Sequence, residues 1–205
     1  MKYTPSIIAA LLLAALPAFA GTEPSAKAPK NPMPVAEEPT FSYNYFEAGW
    51  THLSFDGLGD TDGYYTHISF SPVESVFLFA EWGQDFGGQV DRDLIDVGVG
   101  VYIPLVSRVH WVTTAGAGWV DTDIDRRRGE DDESWAFNAS TGLRIRMCPK
   151  SELELSYDFS TEGGDSDHGA SAAILYNLTP QLQLVARGHF SDDENGFGAG
   201  LRYNF

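Results

Sequence analysis

Beyond residue 40 the chain has prolines at only four positions, Pro72, Pro104, Pro149 and Pro180. Each falls in a short gap between two segments rich in aromatic and β-branched residues. The remaining gaps form a second class, longer, acidic and glycine-rich: DGLGDTDG (56–63), GQDFGGQVDR (83–92), DTDIDRRRGEDDE (121–133), STEGGDSDHG (160–169) and SDDENG (191–196). The two classes alternate without exception. Proline lacks a ladder donor and is confined to turns and strand ends, so the short class marks tight turns. Strict sorting of connections into short turns and long loops is what an up-and-down barrel crossing a membrane requires. A soluble sandwich has no reason for it. Four short and five long connections give ten strands, near 42–55, 64–71, 76–83, 93–103, 109–120, 134–146, 152–159, 169–177, 182–190 and 196–205. The predicted fold class is therefore all-β, an antiparallel up-and-down transmembrane barrel, with short periplasmic turns and long acidic extracellular loops. Misreading of the weak segment 169–177 would change the count to eight or twelve.

The two-residue period of a strand assigns faces. In 196–205, Phe197, Ala199, Leu201, Tyr203 and Phe205 share one face and Gly198, Gly200, Arg202 and Asn204 the other. The same parity places Phe46, Ala48 and Trp50 with lipid and Glu47, Gly49 and Thr51 inside. It places Leu153, Leu155, Tyr157 and Phe159 outside, with Glu154, Ser156 and Asp158 inside. In 134–146, Trp135, Phe137, Leu143 and Ile145 face out and Asn138, Ser140, Arg144 and Arg146 face in. Aromatics gather at strand ends, as interfacial girdles do. A lipocalin-like soluble barrel would need the opposite facing.

Residues 1–20 have one charge, Lys2, an apolar stretch from Ile7 to Leu16, and the ending Ala18-Phe19-Ala20 before Gly21. This is the pattern of a secretory signal peptide; the apolar stretch is about half the length a spanning helix needs. Residues 21–40, with five prolines and no aromatic, form a flexible periplasmic lead-in, and the barrel domain spans 41–205. Without Lys2 the chain has 29 acidic and 12 basic residues. That balance argues against nucleic acid and against a polybasic membrane contact. The single Cys148 has no partner within the chain for a disulfide.

The opening SYNYFEAGW (42–50), the recurrent aromatic and glycine pattern, and the ending GFGAGLRYNF (196–205) resemble small porin-like outer-membrane β-barrel proteins of proteobacteria. The resemblance covers about 41–205 and implies fold and location, not a biochemical activity. It also implies that Leu201, Tyr203 and Phe205 present the signal read by the barrel assembly machinery.

Ten strands make a narrow barrel. The expected inner face has Glu47, Glu81, Asp96, Glu154 and Asp158 against Arg144, Arg146, Arg187 and Arg202, a set that neutralises itself and seals the lumen. The same residues also suit a weakly selective pore. In the loops, Asp121, Asp123 and Asp125 precede Arg126, Arg127 and Arg128, a mixture suited to lipopolysaccharide phosphates and bridging divalent cations, though equally to a solvated repulsive face. No cofactor and no resident metal site is expected. Two His/Ser pairs, His67–Ser69 and His189–Ser191, resemble those of outer-membrane lipid hydrolases, and His168 beside Asp165 and Asp167 suits an omptin-like rim. Neither has an evident base and orienting group together, so the expectation is a non-catalytic barrel with a structural or surface role; a diffusion channel and a lipid hydrolase are the alternatives.

Overall fold

The computed structural model of the protein describes residues 41–55, 59–87, 90–124, 131–191 and 194–205. Ten strands follow one another: β1 (Tyr45–Phe55), β2 (Gly59–Val73), β3 (Val76–Phe86), β4 (Val90–Val106), β5 (Val109–Ile124), β6 (Asp131–Cys148), β7 (Ser151–Glu162), β8 (Asp165–Asn177), β9 (Leu182–Ser191) and β10 (Glu194–Asn204). Each pairs antiparallel with its sequence neighbours, and β1 pairs β10 to close the barrel. Closure leaves no edge, so every strand finds backbone partners on both sides, the condition for a sheet in hydrocarbon.

The strands extend further than the sequence pattern indicates. The ladder between β5 and β6 continues to Asp123↔Asp131, and that between β7 and β8 to Glu162↔Asp165. Most of the acidic, glycine-rich stretches are therefore paired hairpin rather than loop. Composition changes where the chain leaves the apolar layer, whereas backbone pairing continues beyond it, because a ladder does not require apolar side chains. At the other end the first strand begins three residues late. Residues 41–44 are not part of the ladder and instead turn inward. Pro72 and Pro104 lie at register irregularities, between Phe70 and Val73 and between Pro104 and Val106, where a missing N–H breaks no regular pair.

Side chains are distributed inside out relative to a soluble domain. Among the described residues, twenty-eight large apolar side chains are exposed and ten apolar residues are buried, so the apolar surface faces outward. Trp135 is 64 % exposed and Val97 57 %, while Glu47 is 0 % and Arg202 2 % exposed. An apolar belt this extensive is far larger than the patches soluble monomers tolerate, and it excludes the lipocalin-like arrangement. Trp119 and Trp135 sit opposite one another in register near the acidic end, with centroids 5.7 Å apart and edge to face. Tyr203 and Phe205 lie at the opposite, turn end. These are the two aromatic girdles of a spanning barrel. No helix among the described residues is long and apolar enough to cross a membrane.

Inward-facing glycines make room for rings. Phe77 and Phe79 on β3 stand opposite Gly100 and Gly98 on β4, and a Cβ at either glycine would overlap the facing ring. Filling a glycine's empty place with a cross-strand ring stabilises such a pair and keeps aromatic bulk inside the barrel.

Val97, in the middle of the long strand β4, faces lipid. Val97→Arg is expected to destabilise the barrel in phospholipid vesicles by about 2–4 kcal/mol, read from denaturant titration of the membrane-inserted protein.

Candidate functional site

The inner face is organised by strand register first and by cross-lumen reach second. Register sets Glu47 opposite Arg202, Arg144 opposite Glu154 and Arg146 opposite Glu152. Arg202 Nε donates to Glu47 Oε2 at 2.6 Å. Its Nη1 reaches Glu154 Oε1 at 2.9 Å on β7, a strand it does not pair with. Arg187 on β9 likewise spans β10 to reach Glu47 Oε1, which also accepts from the Tyr65 hydroxyl at 2.8 Å. Arg144 binds Glu152 through Nη2 at 2.7 Å and approaches Glu154 at 3.3 Å, and Arg146 Nη2 donates to Glu152 at 2.9 Å. Planar guanidinium forks join neighbouring carboxylates in this way into one chain of charge-assisted bonds, running from Arg187 to Arg146. Buried charges are tolerable when ion-paired in this way, although Arg146 Nε and Arg187 Nε have no hydrogen-bond partner.

Beneath this network, at the turn end, residues 41–45 form an aromatic floor. Phe41 and Tyr43 are 7 % and 6 % exposed. Tyr43 stacks on Tyr102 at 4.1 Å and on Phe77 at 5.2 Å, and its hydroxyl is 3.0 Å from His110 Nδ1. Backbone bonds anchor the segment: Ser69 Oγ donates to the Tyr43 carbonyl at 2.8 Å and Arg144 Nη1 to the Ser42 carbonyl at 2.8 Å. Arginines cap the rings, with Arg146 4.5 Å above Phe41 and Arg202 4.1 Å above Tyr45. Cation–π contact and ion pairing are thus made by the same guanidinium groups.

At the acidic end, Arg92 on β4 crosses the lumen to Glu162 on β7 at 3.1 Å and to Glu194 on β10 at 3.4 Å. Between this bridge and the aromatic floor lies a cavity of about 920 Å³. Its wall includes His67, Glu81, Asp96, Asp158 and His189. His67 Nδ1 and Glu81 Oε2 are 3.2 Å apart. Ser171 Oγ donates to Asp158 Oδ2 at 2.5 Å and lies 2.9 Å from His189 Nδ1.

All nine lumen residues expected from parity are on the inner face, but they do not form a single network. Glu47, Arg144, Arg146, Glu154, Arg187 and Arg202 are joined, whereas Glu81, Asp96 and Asp158 stand apart, on the cavity wall. Sequence reasoning missed Glu152, which shares its parity with Glu154 and was lost only at a strand boundary. It missed Arg92, two turns of the strand period before Asp96, because the segment looked like loop. It also left Tyr43 and Tyr65 unassigned, although Tyr43 shares the parity of Glu47. Neither His/Ser pair is made: Ser69 bonds the Tyr43 carbonyl, and Ser191 Oγ donates to the Glu194 carbonyl at 3.0 Å. His168 faces outward onto Tyr157, 3.1 Å from its hydroxyl, away from the lumen-facing Asp167. Asp121 and Asp123 lie on β5 opposite Glu133 and Asp131, while Asp125, Arg126, Arg127 and Arg128 are outside the described residues. Among the described residues no group of three or more His, Cys, Asp or Glu is placed to hold a metal.

Removing one partner from the joined network leaves buried charge uncompensated. Arg202→Met is expected to cost about 3–5 kcal/mol in denaturant unfolding, and pairing it with Glu47→Gln to recover part of that loss in a double-mutant cycle.

No family model matches the chain, and no curated protein sequence matches it. Solved structures do. The NanC porin is 10 % identical, with 78 % of this chain and 100 % of that one covered and a TM-score of 0.51. The N-terminal β-barrel domain of Pseudomonas aeruginosa OprF is 15 % identical over 80 % of this chain and 100 % of that one, with a TM-score of 0.47. Neisserial surface protein A is 17 % identical over 78 % and 96 %, with a TM-score of 0.40. At such identities the likeness is one of fold, and the comparison with the NanC porin carries it. With its closed antiparallel ladder, outward apolar belt and charged interior, the chain has the fold of the porin-like transmembrane β-barrels of outer membranes.

Proposed function

We propose that this is an exported outer-membrane barrel that does not conduct freely, and that it works through the hairpins it presents at the cell surface. The observation that carries this reading is the double obstruction of the lumen. The Tyr43 floor and the Arg–Glu chain fill the turn end, and the Arg92 bridge crosses the acidic end. In this proposal residues 1–20 are the export signal, the turn end is periplasmic, and Leu201, Tyr203 and Phe205 address the assembly machinery. The acidic hairpins then meet lipopolysaccharide and its divalent cations, with Arg126, Arg127 and Arg128 directed to phosphates. The role is non-catalytic: the Ser191 hydroxyl is engaged within its own turn, and Ser171 is hydrogen-bonded to a carboxylate rather than presented as a nucleophile.

The second reading, a small diffusion channel, is favoured by the cavity itself, since a barrel packed solid would have no space of about 920 Å³. Planar-bilayer recordings separate the two. The wild-type protein, shown to be folded by heat-modifiable gel mobility, is expected to give no steady openings. The double variant Phe41→Ala/Tyr43→Ala, which removes the floor, is expected to give them. Steady wild-type openings would replace the sealed barrel with the channel.

A further inference from the structure

The cavity between the floor and the Arg92 bridge has a charge imbalance that its own residues do not resolve. Among the described residues, its wall has nine carboxylates and four arginines. On this wall Arg92 pairs with Glu162 and Glu194 and Arg202 with Glu154, while Arg144 turns to Glu152 and Arg187 to Glu47, so six of the nine carboxylates, Asp96 among them, have no guanidinium partner among the described residues. Asp96 is left on β4, directly opposite Glu81 on β3. It is 6 % exposed, lines the cavity, and its Oδ1 has no hydrogen-bond partner. A buried carboxylate oxygen without a donor is costly, and native structures seldom keep one without a reason.

The surroundings of Asp96 define what would satisfy it. Its carboxylate lies over Gly116 together with the Asn138 side chain that hydrogen-bonds to it, and a Cβ there would meet Asn138 Oδ1 at 2.8 Å and both Asp96 oxygens at about 3 Å. Two residues along the same inner face, Phe79 covers Gly98 diagonally across from Asp96, and Phe77 and Tyr43 continue the aromatic surface toward the floor. Glu81 adds a second carboxylate at the same level, held by His67. A bare metal ion is poorly served, because among the described residues no three acidic, histidine or cysteine groups converge. A carboxylate pair beside aromatic rings instead matches an ammonium group with an apolar body, held by charge-assisted hydrogen bonds and by the ring faces.

We infer that the lumen cavity is a binding site for a small organic amine, whose ammonium group donates to Asp96 and Glu81 and whose alkyl chain lies along Phe79. The inference deepens the sealed-barrel reading, since a cavity closed at its floor retains a ligand where an open pore would pass it. The two are nevertheless tested separately: bilayer current reads the floor, and binding reads the cavity.

The experiment is isothermal titration of the detergent-folded protein with cadaverine at fixed ionic strength. Saturable binding is expected, weakened roughly tenfold to a hundredfold by Asp96→Asn, the range for loss of one charged hydrogen bond. Asp60→Asn, which removes an equal charge at an exposed position of β2 outside the cavity wall, is expected to change it less than about twofold. Asp96→Asn is isosteric and relieves a buried charge, so it is expected to fold, and Glu81→Gln on the facing strand provides an independent second variant, expected to weaken binding in the same direction. Absence of saturable binding, unchanged affinity in both cavity variants, or equal weakening by Asp96→Asn and Asp60→Asn would each overturn the inference, the last by reducing it to the general acidic field.

Discussion

Everything in this molecule follows from the need to satisfy backbone N–H and C=O groups where no water is at hand. Hydrocarbon around a sheet forbids an edge, so β1 must meet β10, and the meeting fixes their register. That single pairing brings Glu47 and Arg202 together across 155 residues of sequence. Around this pair the rest of the inner face is arranged: Arg187 joins from one side, Glu154 and Arg144 from the other, and the aromatic floor rests beneath their guanidinium groups. Closure of the backbone and closure of the lumen are thus consequences of the same ladder.

The interior solves a problem of excess. A narrow barrel has too little space for water to solvate many charges, yet its inner face needs polar residues to stay distinct from the lipid face. Arginine is suited to this because one guanidinium bridges two carboxylates and also caps a ring. Arg202 does all of this, with Glu47, Glu154 and Tyr45. Where the wall is short and polar, at Thr114, Ser140, Gly142, Ser156, Ser160 and Gly169 on β5 to β8, the cavity opens.

Much of the architecture was legible in the residues. The proline positions separated the two kinds of connection, and two-residue alternation assigned Glu47, Glu81, Asp96, Arg144, Arg146, Glu154, Asp158, Arg187 and Arg202 to one face. Legibility failed at composition boundaries. Arg92 and Glu162 sit in stretches that read as loop, although the backbone there is still paired. Tyr43 reads as part of a strand, although it leaves the ladder and, with Phe41 before it, enters the lumen. Alternation reports which side of a sheet a residue faces, but it does not report where the sheet ends relative to the membrane.

By itself, then, the sequence determined strand number and which side of a strand its residues face, because these depend on local periodicity and turn chemistry alone. Only the tertiary structure decided which acid meets which arginine, that Arg92 spans from β4 to β7 and β10, and that one oxygen of Asp96, Oδ1, is left without a donor. Those outcomes depend on how far the strands slide past one another when the ladder closes, and a register is a property of the whole ring rather than of any segment in it.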